Sequence, residues 1–90
     1  MEFRGADMEE IFDEIRQERD RQDEQYGGPD HDDNHYPGDW CLILMKYLGR
    51  AAAVTIDKQP DATFRESMIK LAAVAVAAGQ SFDRIKGRPE

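Results

Sequence analysis

The sequence has little cysteine and no long apolar run. A lone cysteine, Cys41, can form neither an intrachain disulfide nor a cysteine-based zinc cluster. No apolar stretch reaches the ~20 residues that a membrane span requires. Because the first residues also lack the basic and apolar regions of a signal peptide, we expect a cytoplasmic protein with no membrane partner.

Basic residues are also scarce. The chain has 12 Lys and Arg against 19 Asp and Glu, a formal net charge of −7. This balance argues against a protein that binds nucleic acid by neutralising phosphates. The charge is uneven, because residues 1–40 contain 14 acids and 4 bases while residues 41–90 contain 5 acids and 8 bases. We expect the two halves to have different roles.

Large apolar residues are few for a folded chain. Leu, Ile, Val and Phe make up 17 of the 90 residues. A domain of this size buries a small fraction of its surface, so its core alone gives marginal stability. We therefore expect a homo-oligomer or a protein that a ligand stabilises.

The first helix is predicted over about residues 7–26. Residues at three- and four-residue spacing form its inner stripe: Met8, Phe12, Ile15, Arg19, Gln22 and Tyr26. The stripe changes from apolar to polar at Arg19. Either the helix leaves the core there, or these polar side chains line a cavity. Gly27-Gly28-Pro29 ends the helix.

Residues 27–39 are rich in turn-forming residues and have no period, which predicts a long loop. Asp39 is the predicted N-cap of a second helix over about residues 40–55. Its apolar face includes Trp40 and Tyr47.

A third helix is predicted over about residues 63–85. Thr63 and Glu66 have the spacing of a capping box at its start. Residues 86–90 are polar and are predicted to fray. No β alternation or repeat is present, so we expect one all-α domain over residues 1–90, with three helices in each protomer.

The stretch 71–79 of the third helix is apolar on every side. A helix with no polar face is expected to be buried all round. Three short helices cannot surround it, so a second subunit is predicted to pack on this alanine-rich segment.

Two histidines and two aspartates lie within His31–His35. These side chains are potential ligands of a divalent cation, potential contacts of a bound ligand, or parts of an Asx-rich turn. The spacing is not diagnostic of a metal site, and we predict none. Arg19 is expected to need an acidic partner such as Asp32 or Asp33.

Basic residues interrupt the apolar helices. Lys46 and Arg50 share one face of the second helix, and Lys70 precedes the alanine-rich stretch. Lys70 either extends to solvent or joins a basic pocket between the second and third helices. No nucleophile with a neighbouring base is present, so no catalytic residue is predicted.

Several of these motifs resemble a group of small proteins common in phages and bacterial prophages. The pattern runs through Glu18-Arg19-Asp20-Arg21-Gln22, Gly27-Gly28, His31-Asp32-Asp33-Asn34-His35 and Trp40, and through the alanine-rich helix Lys70–Ala78. The match spans most of residues 15–83. It implies a phage-encoded protein in a bacterial cell.

More distantly, the layout is similar to that of MazG-like all-α nucleotide pyrophosphohydrolases, which implies a helical oligomer that uses Mg²⁺. The family's EExxE motif falls on Lys46, Tyr47 and Arg50, and its ExxD motif on Ser67 and Lys70. These acids are replaced mainly by bases. The departure indicates a pocket that binds phosphate directly, without metal or cofactor.

The leading hypothesis is therefore a non-catalytic protein that binds a small nucleotide, such as a phage sponge for an immune signalling nucleotide. The predicted ligand-binding residues are Arg19, Gln22, His31, Asp33, His35, Tyr36, Trp40, Lys46, Tyr47, Arg50 and Lys70. One alternative is a MazG-like enzyme whose metal is held by a different set: Glu18, Asp32, Asp33 and His35. The other is an acidic protein that mimics DNA or occupies a basic partner.

Overall fold

The structure is all-α, which confirms the predicted fold class. The computed structural model describes residues 7–57 and 61–86, and within these ranges it contains no strand. Its elements are α1 (Met8–Tyr26), α2 (Gly28–Asp32), α3 (Pro37–Asp57) and α4 (Asp61–Lys86). Of the predicted tail, Lys86 belongs to α4 and residues 87–90 lie outside the described ranges. No helix within these ranges is long and apolar enough to cross a membrane.

α1 matches the first predicted helix and is capped at both ends. The Asp7 side chain accepts a hydrogen bond from the Glu9 backbone N–H at 2.9 Å, which pairs one of the donors left open at a helix N-terminus. At the other end, Gly27 has φ of 109°, and its N–H donates to the Asp23 carbonyl at 2.9 Å. Glycine adopts this left-handed conformation without steric penalty.

The loop predicted for residues 27–39 instead contains a short helix, α2. Pro29 lies in its first turn. A backbone N–H there has no acceptor within the helix, so a proline, which lacks the N–H, costs no hydrogen bond. Directly after α2, the Asp33 carboxylate accepts hydrogen bonds from Ser81 and Arg84 of α4. These contacts hold the segment against α4. The residues from Gly28 to Asp32, which were predicted to form a loop, are therefore helical.

α3 begins at Pro37, three residues before the predicted start at Trp40. Asp39 is therefore not the N-cap. It lies in the first turn, and its carboxylate accepts a hydrogen bond from the Tyr36 backbone N–H at 2.8 Å. An acid at the third helical position reaching back to the residue before the helix is half of a capping box.

α4 also begins earlier than predicted, at Asp61 instead of Thr63. Thr63 and Glu66 consequently lie inside the helix and do not form the predicted capping box. Residues 61–63 include an alanine, a strong helix former, which allows the helix to extend toward its N-terminus.

α4 lies between α1 and α3 and packs against both. Within the described residues no Cα atom of α1 lies within 8 Å of a Cα atom of α3. α2 bridges α1 and α4. The central cluster lies between α3 and α4 and contains Trp40, Tyr47, Val74 and Ala77, with Ile43, Leu44, Leu71 and Ala78 packed around it.

The alanine-rich stretch 71–79 is buried on one side only. Ala73, Val74 and Ala77 are buried, while Ala75 and Val76 are exposed, the latter to 43%. The expectation of burial on every face is therefore wrong for the single chain, because α1 and α3 flank α4 and leave its outer side open. The predicted second subunit remains a prediction.

Candidate ligand-binding site

All four helices line a partly open cavity of about 250 Å³, which we call the aromatic cavity. It brings together most of the residues predicted to bind a ligand: Arg19, Gln22, His31, His35, Trp40, Lys46 and Tyr47. Ile43, Val74 and Ala77 supply apolar surface. A site of this kind, mostly apolar with a few polar groups, is typical of small-molecule binding.

Four aromatic rings form one wall of the aromatic cavity. Tyr26 stacks on His31 with ring centroids 5.7 Å apart and planes inclined by 23°. His31 meets His35 edge to face at 4.9 Å, and His35 lies 4.8 Å from Trp40. These separations are those of favourable aromatic pairs, so the rings fix one another in place. The wall offers flat surfaces to a planar ligand.

The hydrogen bonds of His35 determine which of its ring nitrogens carries the proton in the neutral form. Its Nδ1 lies 3.2 Å from the His31 carbonyl oxygen and 3.1 Å from that of Asp32. Because carbonyl oxygens only accept, Nδ1 carries the proton and donates. In the neutral ring, Nε2 is then an acceptor for a ligand N–H or O–H.

Arg19 anchors the polar end of the aromatic cavity. Its guanidinium lies 3.1 Å from an Asp23 oxygen and donates to Gln80 Oε1 at 3.3 Å. As predicted, an acid of the histidine-rich segment also pairs with it, because Asp32 Oδ2 lies 3.8 Å from Nη2. Asp32 Oδ2 is fully buried and accepts no hydrogen bond, so this guanidinium is its main charge compensation.

Gln22 is the buried polar residue of α1, with 6% of its surface exposed. Its Nε2 donates to Glu18 Oε2 at 3.2 Å, and Glu18 also accepts from Arg21 Nε at 2.9 Å. The hydrogen bonds from Arg21 hold the pKa of the Glu18 carboxyl below its ordinary value. The polar part of the α1 stripe therefore lines a cavity, which decides between the two alternatives that the sequence left open.

A second cavity of about 400 Å³ adjoins the first, and we call it the basic cavity. Tyr47 lines both cavities. Arg50 lies over the Tyr47 ring at 5.4 Å from its centroid, within range of a cation–π contact. Lys70 and Ser67 of α4 face Arg50 across the cavity, and Lys70 Nζ is 3.6 Å from Glu66 Oε1.

The basic cavity therefore contains the side chains at four positions that were matched to the acidic MazG motifs. Tyr47 and Arg50 come from the first motif, and Ser67 and Lys70 from the second. Of the three bases predicted to form a pocket between the second and third helices, Arg50 and Lys70 line this cavity between α3 and α4, together with Glu66. Lys46, the remaining matched position, lines the aromatic cavity instead.

Two predicted ligand-binding residues lie outside both cavities. Asp33 Oδ1 accepts hydrogen bonds from Ser81 Oγ at 2.8 Å and from Arg84 Nη2 at 2.7 Å. The Arg84 hydrogen bonds, followed by that of Ser81, hold the pKa of Asp33 below its ordinary value. Tyr36 directly precedes α3, is 78% exposed, and lines together with Asp33 a separate cavity of about 610 Å³ between α3 and α4. Asp33 thus has a structural role in this arrangement.

Sequence reasoning missed five residues that line the aromatic cavity: the apolar Ile43, Val74 and Ala77, and also Tyr26 and Asp32. Tyr26 is the last member of the α1 stripe, and that position is the signal by which it could have been found. Asp32 is adjacent to Asp33 in the same motif, and nothing in the sequence distinguishes the inward carboxylate from the outward one.

Within residues 7–57 and 61–86, no three or more His, Cys, Asp or Glu side chains form a group that could hold a metal ion. The alternative set of Glu18, Asp32, Asp33 and His35 is not assembled. The Asp33 carboxylate is bound by α4, and the Glu18 carboxylate is bound by Arg21.

Comparison of the chain with protein-family models, curated proteins and solved structures found no match. We therefore infer function from the chain's own side chains.

Proposed function

We propose that this chain binds a small nucleotide-type ligand and retains it intact. The observation that supports this proposal is the junction at Tyr47 of two cavities, one walled by aromatic rings and one by cationic side chains. A nucleotide has the same two parts, a planar base and an anionic phosphate group. In this proposal one ligand extends past Tyr47 and contacts both cavities.

In this proposal the base enters the aromatic cavity. Stacking on aromatic side chains contributes about 1–3 kcal/mol per base. The four rings from Tyr26 to Trp40 are held by mutual contacts, so little side-chain entropy is lost when a base binds. Gln22 and His35 supply polar groups for the base edge.

The phosphates extend toward the basic cavity. Lys46 stands at the aromatic cavity and Arg50 and Lys70 at the basic one, so the positive charges follow the path from base to phosphate. Glu66 pairs with Lys70 at 3.6 Å, and an incoming phosphate competes with that carboxylate. A phosphate carries more negative charge than one carboxylate and has three oxygens that can accept from Arg50 and Lys70 together, which favours the phosphate.

The binding test uses the single tryptophan, Trp40, as reporter. The protein is titrated with ATP, GTP, NAD and a cyclic dinucleotide in the presence of Mg²⁺, and Trp40 fluorescence is followed. After removal of free ligand and denaturation, chromatography identifies the released molecule. Recovery of the intact nucleotide supports the proposal, whereas cleaved products favour the MazG-like enzyme. Absence of binding overturns the proposal and favours the acidic interaction protein.

Charge reversal in the basic cavity tests the phosphate contact. We expect Arg50→Glu to weaken nucleotide binding by about tenfold or more, because a charge-assisted contact is replaced by a repulsive one. Arg16→Glu is the matched control, since Arg16 is exposed on α1 and pairs only locally with Asp13. Equal affinities of the two variants would contradict the assignment of Arg50.

A further inference from the structure

The outer side of α4 carries a continuous apolar stripe, which we call the back stripe. Its members follow three- and four-residue spacing: Phe64, Met68, Ala72, Ala75, Gly79 and Phe82. Phe64 is 46% exposed and Phe82 53% exposed. Large side chains stand at the two ends of the stripe and small ones in its middle. The back stripe faces away from the aromatic and basic cavities, which lie on the opposite side of α4.

One end of the back stripe opens into an apolar groove of about 600 Å³ between α1 and α4. Ile11 and Ile15 of α1 line this groove together with Phe64 and Met68 of α4. At the other end of α4, Phe82 and the neighbouring Ile85 project as exposed apolar side chains. The same helix therefore presents a groove at one end and a projecting ring at the other.

We propose that a second copy of this chain covers the back stripe, with the two α4 helices antiparallel about a two-fold axis between Ala72 and Ala75. An exposed apolar helix face, such as the one that carries Phe64 and Phe82, is buried when a second element packs on it. The two-fold axis places Met68 opposite the partner's Gly79, and Phe82 of each copy over the other's groove. The small residues at the centre let the helices approach closely.

Charge on the flank of the back stripe favours this same arrangement. Arg65 and Asp83 lie on the same flank of α4, and both are exposed. Antiparallel pairing places Arg65 of each copy opposite the partner's Asp83, so opposite charges meet twice. Arg65 is already oriented by Glu14, to which its Nη1 donates at 2.7 Å. A self-complementary pattern of this kind indicates a copy of the same chain rather than an unrelated partner.

Light scattering over a dilution series tests the dimer. We expect twice the chain mass of 10.3 kDa for the native protein and the single mass for Ala75→Glu. Ala75 is exposed in the single chain, so a glutamate there leaves the monomer fold in place, which helicity by circular dichroism verifies. Ala52→Glu lies on the exposed apolar face of α3, between Leu48 and Ile56, and should remain dimeric; a monomeric Ala52→Glu with a dimeric Ala75→Glu would place the interface on α3 and overturn the proposal. A native protein of single mass at all concentrations overturns the proposal.

Cross-linking tests the register. In a Cys41→Ser background, M68C/G79C should form a covalent dimer on oxidation, because each introduced thiol faces its counterpart across the axis. Neither M68C nor G79C alone should cross-link, since the two equivalent positions are then about 16 Å apart along the helices. A cysteine at Gly79 fits, because an added Cβ there meets no atom within 4 Å. Cross-linking by the single variants, or its absence from the double variant, overturns the antiparallel register.

Discussion

Asp32 and Asp33 are adjacent in sequence and have opposite surroundings. Asp32 points inward, where its Oδ2 is buried 3.8 Å from Arg19. Asp33 points to α4 and holds Arg84 and Ser81. The sequence indicates that both are acids near a binding segment, but their directions depend on α2, which forms only against α4. Residue types at the candidate site were therefore predictable, and the direction of each side chain was not.

Replacing Asp33 should lower the thermal stability of the protein at neutral pH. The Arg84 hydrogen bonds depress the pKa of Asp33 below its ordinary value of 3.8, so its carboxylate stabilises the fold above that pH. The contribution is lost as pH falls through the depressed pKa. We expect Asp33→Asn to lower the Tm at pH 7 and to resemble the native protein near the acid limit of folding. Thermal denaturation at several pH values measures this difference.

The exposed Asp20 provides the control for that series. Asp20→Asn removes the same charge from α1, at a position with no ion pair among the described residues. It should leave the Tm near its native value across the pH range. A constant Tm difference between Asp33→Asn and the native protein at every pH would contradict the ionic origin of the effect.

At the scale of the helices, hydrophobic periodicity predicted the three long helices. The capping signals read from the sequence placed the starts of α3 and α4 too late. α1 was predicted within a residue because its stripe and the Gly27-Gly28-Pro29 stop agree. α3 begins earlier because Pro37 is suited to a first helical turn and Asp39 pairs backward to Tyr36. α2 was missed, since five residues provide no period and their stability comes from contacts distant in sequence.

The glycine that ends α1 should be sensitive to substitution. Gly27 has φ of 109°, where a side chain is strained, so Gly27→Ala should lower the free energy of unfolding by about 1–2 kcal/mol. Gly49→Ala is the contrasting variant, because Gly49 lies inside α3 with open space around it. There alanine should raise stability by about 0.5–1 kcal/mol. Urea denaturation measures both, and a stabilised Gly27→Ala would contradict the assigned role of Gly27.

For the whole molecule, the uneven charge of the two halves has a structural counterpart. Acids of the first half pair with bases of the second, as in Glu14 with Arg65 and Asp33 with Arg84. These pairs tie α1 and the end of α2 to α4. The large apolar residues are divided between a small central cluster and exposed positions on several helices, which include Leu42, Met45, Leu48 and Ile56 of α3 as well as Phe64 and Phe82 of the back stripe. The composition predicted too few large apolar residues for an extensive core. The structure shows which apolar side chains are exposed as a result.

Thermal stability should depend on protein concentration. If the folded state is the dimer proposed above, each tenfold increase in concentration adds about 1.4 kcal/mol per dimer to the stability. The Tm of the native protein should therefore rise with concentration, and that of Ala75→Glu should not. Calorimetry at several concentrations measures both, and a native Tm that stays constant would contradict the proposed dimer.

The separation of α1 from α3 has a consequence for selectivity. These helices supply opposite walls of the aromatic cavity, yet among the described residues no Cα atom of α1 lies within 8 Å of a Cα atom of α3. The ring contacts from Tyr26 to Trp40 join the walls at one end of the cavity, so a tilt of either helix can change the width of the other end. Such a binding site selects a ligand by its planar ring and its negative charge more than by its size. Purine and pyrimidine nucleotides should then bind with similar affinities in the Trp40 titration, and a strong preference for one would indicate a rigid gap.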